Sequence, residues 1–93
     1  MKIIIRESAY ADLENIYNWI AKDSLANANS VIERIRYAIE NSLSQFPHMG
    51  RIGQMPGTRE WVVRNLPYIV VYSVDEARGA LTVLSISHGA RSR

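Results

Sequence analysis

The stretch from Thr58 to Arg91 constrains this chain most. Residues 58–64, 68–74 and 81–87 are dominated by β-branched and aromatic side chains, the composition of short strands. Asn65-Leu66-Pro67 and residues 75–79 supply turn formers between them. Three strands in succession form an antiparallel meander. Such a sheet needs one face covered by another layer and leaves the other face free for a partner.

The cover comes from the segment before it. Leu13, Ile16, Tyr17 and Ile20 recur at helical spacing, with Asp12 and Glu14 early in the run, where negative charge suits the helix dipole. Ser8 is the expected N-cap of this first helix. Asp23-Ser24 interrupts the pattern and caps a second helix over residues 25–46, whose apolar stripe is Ala28, Ile32, Ile35, Ile39, Leu43 and Phe46. A connection this short folds the two helices into an antiparallel hairpin, and Pro47 ends the second. Residues 48–57, rich in Gly and Pro, read as a loop. Upstream, Lys2 to Arg6 reads as a short strand on a sheet edge, its three isoleucines favouring a buried extended segment. The order β-α-α-β-β-β predicts an α+β domain, residues 1–93, with a helical hairpin packed on a mainly antiparallel sheet.

Strand parity divides the faces. Tyr68, Val70, Tyr72 and Val74 share one side of the middle strand, with Ile69, Val71 and Ser73 on the other. In the last strand Val83, Ser85 and Ser87 align with Arg91, opposite Leu84, Ile86 and His88. The serine-bearing faces are expected to be open, so Arg91 points outward and His88 towards the helices. In the first strand of the meander, Glu60, Val62 and Arg64 oppose Arg59, Trp61 and Val63.

Several chemistries are excluded early. The chain has no cysteine, which removes disulfide scaffolds, cysteine zinc sites and thiol catalysis. His48 and His88 stand far apart without metal-ligand spacing, so no metal or other cofactor is expected. Gly50-Arg51-Ile52-Gly53 lacks the phosphate-loop pattern, and no serine has an evident base for a hydrolytic triad. The first residues lack the apolar run of a signal peptide, and no segment approaches a membrane span, so a cytoplasmic protein is expected. A net charge of +2 suits nucleic acid or an acidic protein partner. Arg59, Arg64, Arg91 and Arg93 are either a patch for such a partner or solvated surface charge. Trp61 fits core or recognition equally.

The element order, together with Pro56-Gly57-Thr58-Arg59-Glu60, residues 67–74, His88-Gly89-Ala90-Arg91 and an opening helix at residues 8–16, resembles the RelE/ParE superfamily of type II toxin–antitoxin toxins. Two mechanisms are implied. RelE-type members cut messenger RNA in the ribosomal A site without a metal, using the RNA's 2′-hydroxyl as nucleophile and basic side chains to stabilise the phosphorane. The resemblance implies lysines in their strand equivalent to residues 59–64, an arginine just after the middle-strand tyrosine, an arginine near the end of the last strand and often a tyrosine beyond it. In this sequence Glu60 and Val62 stand at the lysine positions and Ile69 at the middle arginine; Arg91 is retained, and the tyrosine is absent by Arg93. The chain is therefore more similar to ParE, whose members inhibit DNA gyrase by protein contact. On that resemblance it is not an enzyme. Arg59, Val62, Arg64, Ile69, Val71 and Arg91 are then expected to bind the cognate antitoxin or the target. The alternative, a ribosome-dependent ribonuclease, would rely on Arg91, Arg64, Arg59 and His88. A third possibility is a member that binds antitoxin without being toxic.

Overall fold

A computed structural model describes residues 1–89. Its elements are β1 (Lys2–Ile5), α1 (Glu7–Ala21), α2 (Leu25–Tyr37), a π-helical turn (Ala38–Leu43), β2 (Arg51–Ile52), β3 (Arg59–Val62), β4 (Tyr68–Asp75) and β5 (Ala80–His88). The five strands form one sheet in the order β1-β5-β4-β3-β2, with β1 parallel to β5 and the other pairs antiparallel. The expected α+β arrangement is present, with the N-terminal strand on an edge. The expected loop at 48–57, however, contains β2, whose two residues pair with Arg59 and Glu60.

The core lies between the hairpin and one sheet face. Leu13 from α1, Ile35 from α2, and Ile39 and Leu43 from the π-helical turn meet Val63, Tyr68, Val70, Tyr72, Leu81, Val83 and Ile86. Among the described residues no helix is long and apolar enough to cross a membrane.

Four local expectations are corrected. First, α1 begins at Glu7 with Arg6 in the cap position, and no side chain caps it. Ser8 Oγ instead donates to the Leu84 carbonyl at 2.7 Å. Second, helix two does not run unbroken to residue 46. The helix widens into a π turn over Ala38–Leu43, and Ile35, Ile39 and Leu43 are all fully buried. Asn41 Nδ2 and Ser44 Oγ donate to the Tyr37 and Glu40 carbonyls, supporting the loosened turn. Phe46, beyond it, leaves the stripe and is 61% exposed.

Third, Ile4 is 41% exposed, because β1 presents only alternate residues to the core. Fourth, Val83 faces the core rather than the open side. The register shifts by one residue between Val71↔Ser85 and Tyr72↔Val83, leaving Leu84 as a bulge. The extra residue lets Val83 and Ile86 both point inward although they differ in parity, while Ser85 and Ser87 stay on the other face. Helix α1 holds the irregularity: besides Ser8 on the Leu84 carbonyl, Asp12 Oδ2 accepts from the Ile86 N–H at 2.9 Å.

The turn between the helices follows the sequence expectation. Ser24 caps α2 by accepting the Asn27 N–H at 3.1 Å. Replacing Ser24 with Ala should lower unfolding stability by about 1 kcal/mol in urea titrations, since one helix-end donor loses its acceptor.

Candidate functional site

On the sheet face away from the helices, alternate residues of β3, β4 and β5 build a shallow groove of about 240 Å³. Its floor is Ile69 and Val71 from β4; Ser85 and Ser87 line the β5 side, and Glu60 and Arg51 the other. The registers Glu60↔Val71↔Ser85 and Val62↔Ile69↔Ser87 put these side chains in two rows across three strands. Arg51 Nη2 lies 3.1 Å from Glu60 Oε1, and the Gln54 N–H donates to the other carboxylate oxygen at 3.4 Å. The Glu60 side chain is only 17% exposed, so the guanidinium lining this groove already has its counter-charge.

Behind the groove, a polar belt sets the position of β2. The Tyr72 hydroxyl accepts from the Gly50 N–H at 3.0 Å and donates to the Pro47 carbonyl at 2.8 Å. Arg59 Nη1 donates to the Gly50 carbonyl at 2.8 Å and to that of His48 at 3.3 Å. Burial pushes the Tyr72 phenol above its usual range, opposed by the Gly50 hydrogen bond and the Arg59 charge. Only glycine fits at position 50: a Cβ there would lie 2.6 Å from Tyr72 Oη and 2.9 Å from the Glu60 carbonyl. His48 extends the tie with a hydrogen bond to Glu76, Nε2 to Oε1 at 2.5 Å.

A second groove, about 650 Å³, opens between α2 and the end of β3. Tyr37, Met49, Trp61 and Val62 supply its apolar lining, flanked by Arg34 and Arg64.

The residues expected to bind antitoxin or target are thus divided. Ile69 and Val71 lie in the open-face groove, whereas Val62 and Arg64 line the helix–β3 groove. Arg59 belongs to neither, because its guanidinium is turned back to hold the 48–50 backbone. Arg91 lies outside the described residues, as does Arg93. Within the alternative catalytic set, Arg59 and His88 stand apart along β4. His88 packs edge-on against Tyr68 on the helix side, with ring centroids 5.5 Å apart. Arg59 pairs in register with Tyr72, four residues or about 13 Å along β4 from Tyr68. Arg64 projects from the turn after β3. Among the described residues no group of three or more histidines and carboxylates could hold a metal ion.

The Arg51–Glu60 pair is not expected from the sequence, in which residues 48–57 read as a loop. Nor are Tyr37 and Arg34 expected at a groove, since they sit off the apolar stripe of α2. Their signal was an aromatic residue on the otherwise polar side of a helix, and Tyr37 is 69% exposed.

A helical hairpin on one face of a five-stranded sheet, with grooves lined by aliphatic and aromatic side chains, is the architecture of a small α+β domain. The chain belongs to the ParE toxin family of type II toxin–antitoxin systems: the family model described as "ParE toxin of type II toxin-antitoxin system, parDE" matches residues 3–93. It is 36% identical over 72 residues to Y4kP of Sinorhizobium fredii, a candidate toxin by name, covering 77% of this chain and 74% of that one. The fold is similar to a structure of the chromosomal ParDE system from P. aeruginosa, with a TM-score of 0.82 and 22% identity over 95% of each chain. It is also similar to one from the RelBE2 toxin–antitoxin complex of Mycobacterium tuberculosis, with a TM-score of 0.72 and 17% identity over 94% of this chain and 95% of that one. ParE and RelE systems share this architecture, so the fold alone does not choose a target.

Proposed function

We propose that residues 1–93 form a single ParE-like toxin domain that acts in the cytoplasm, inhibits DNA gyrase by protein–protein contact, and is neutralised by a cognate antitoxin. One observation carries the choice of gyrase over RNA cleavage. Glu60, Val62 and Ile69 occupy the positions where RNA-cutting relatives are expected to carry basic side chains. In this chain they are a carboxylate and two aliphatic groups, and Arg51 beside them is engaged by Glu60. A phosphorane transition state needs positive charge or proton donors close to its oxygens. A face of this composition instead suits burial against another protein.

The purified protein is expected to inhibit ATP-dependent supercoiling by gyrase, and added antitoxin to restore it. Unchanged supercoiling at stoichiometric excess of toxin, with A-site cleavage in toe-printing of messenger RNA on ribosomes, would transfer the chain to the ribonuclease class.

A further inference from the structure

At the far end of the sheet from β2, strand β1 has only β5 beside it. The Lys2 N–H donates to the Gly79 carbonyl at 2.9 Å, and the Arg6 N–H to that of Val83 at 3.0 Å. In a parallel ladder alternate residues turn their backbone groups towards the neighbour. The N–H and C=O of Ile3 and Ile5 therefore point away from β5, and among the described residues no strand lies there to meet them. The Ile3 and Ile5 side chains pack against the core, so Lys2, Ile4 and Arg6 project from the opposite, open face. At about 3.3 Å per residue, Lys2 and Arg6 stand roughly 13 Å apart with Ile4 midway, and all three are exposed. Neither cation forms an ion pair among the described residues. Glu7, next in the chain, opens α1, where the helix dipole favours it. Asp75 shares a row with Ala80 and Lys2 but lies 3.7 Å from Arg78 Nε.

We propose that the target protein adds an extended segment to the β1 edge as a further strand, with an acidic residue opposite Lys2, an apolar one opposite Ile4 and a second acidic one opposite Arg6. This rests on the reading of the chain as a toxin that acts by protein contact, and it names the surface and the sequence pattern which that contact uses. The pattern acid-x-apolar-x-acid is the same in both directions, so it holds for parallel or antiparallel addition. An extended occupant fits because the unpaired edge offers directional backbone donors and acceptors, which a helix with its own groups satisfied would not use. The charges select against a second copy of this chain: two-fold antiparallel pairing about Ile4 would set Lys2 of each copy directly opposite Arg6 of the other, and like charges so placed repel. Two to three strand spacings, roughly 10–14 Å, separate β1 from the β4 and β3 residues of the two grooves, so this edge is a separate surface.

Amide exchange on the toxin alone, with purified gyrase and with its antitoxin tests the assignment, together with supercoiling assays on charge-reversed variants. The Ile3 and Ile5 amides are expected to exchange rapidly in the free toxin and at least roughly tenfold more slowly with gyrase. Lys2→Glu and Arg6→Glu are each expected to raise the concentration needed to inhibit supercoiling by roughly tenfold or more, more steeply at low salt, with antitoxin affinity and urea midpoint unchanged. Lys22→Glu, just past the other end of α1 and roughly 24 Å from Arg6 along the helix, should leave inhibition unchanged. Inhibition that survives both reversals, or β1 amides that gyrase does not protect, overturns the inference and leaves the gyrase reading intact. Failure of the wild-type toxin to inhibit gyrase at all overturns both. Protection of Ile3 and Ile5 by the antitoxin assigns the edge to the antitoxin, and protection that appears in concentrated toxin alone and fades on dilution assigns it to a second copy; either result overturns the proposal.

Discussion

Replacing Tyr72 with Ala should cost about 3–5 kcal/mol of unfolding free energy, enough to leave a domain of this size largely unfolded near physiological temperature. The ring is fully buried in the core between the hairpin and the sheet. Its hydroxyl is bonded to Gly50 and Pro47, so truncation opens a cavity and orphans two backbone groups at once. Tyr72→Phe separates the terms. It keeps the ring and removes only the hydroxyl, which should cost about 1–3 kcal/mol through the unsatisfied Gly50 N–H and Pro47 carbonyl.

The same pair of proteins yields a pH dependence with a defined sign. Burial raises the folded-state phenol above its unfolded value of about 10, so ionisation favours the unfolded chain. The wild-type contribution is complete below about pH 10 and is lost as the pH climbs through the folded-state value. Tyr72→Phe should lose less stability over that alkaline range. Urea titrations of both proteins at neutral and alkaline pH measure these effects; equal alkaline slopes would remove Tyr72 as the titrating group.

Ile39→Ala should cost about 2–5 kcal/mol, while Phe46→Ala, in the same sequence stripe, should change stability by less than about 0.5 kcal/mol. Ile39 is fully buried at the π-helical turn, whereas Phe46 lies beyond the turn and mostly in solvent. Periodicity alone gives these two residues equal standing. Denaturation midpoints for the two variants decide between a continuous α-helix and the observed interruption: equal losses would mean that Phe46 packs into the core after all.

The period-3.6 stripe of the two helices and the alternation in β4 were legible in the sequence because each arises from contacts along a single element. Leu13, Ile35, Tyr68, Val70 and Tyr72 face the core as their spacing predicts. The face of Val83 was not legible, because the bulge at Leu84 depends on Ser8 and Asp12, 76 and 74 residues from the groups they hold. The short strand β2 was hidden for a similar reason. Two residues rich in neither pattern nor length become a strand only when Arg59 and Tyr72 fix the chain beside β3.

By itself the sequence determined the element order, the hairpin-on-sheet layering and the absence of basic side chains at residues 60, 62 and 69. These follow from local spacing and residue identity. The tertiary structure alone decided that Ile69 and Val71 line one groove and Val62 and Arg64 another, and that Arg59 serves the scaffold. Each depends on which groups distant segments bring together, and spacing along one strand does not specify that.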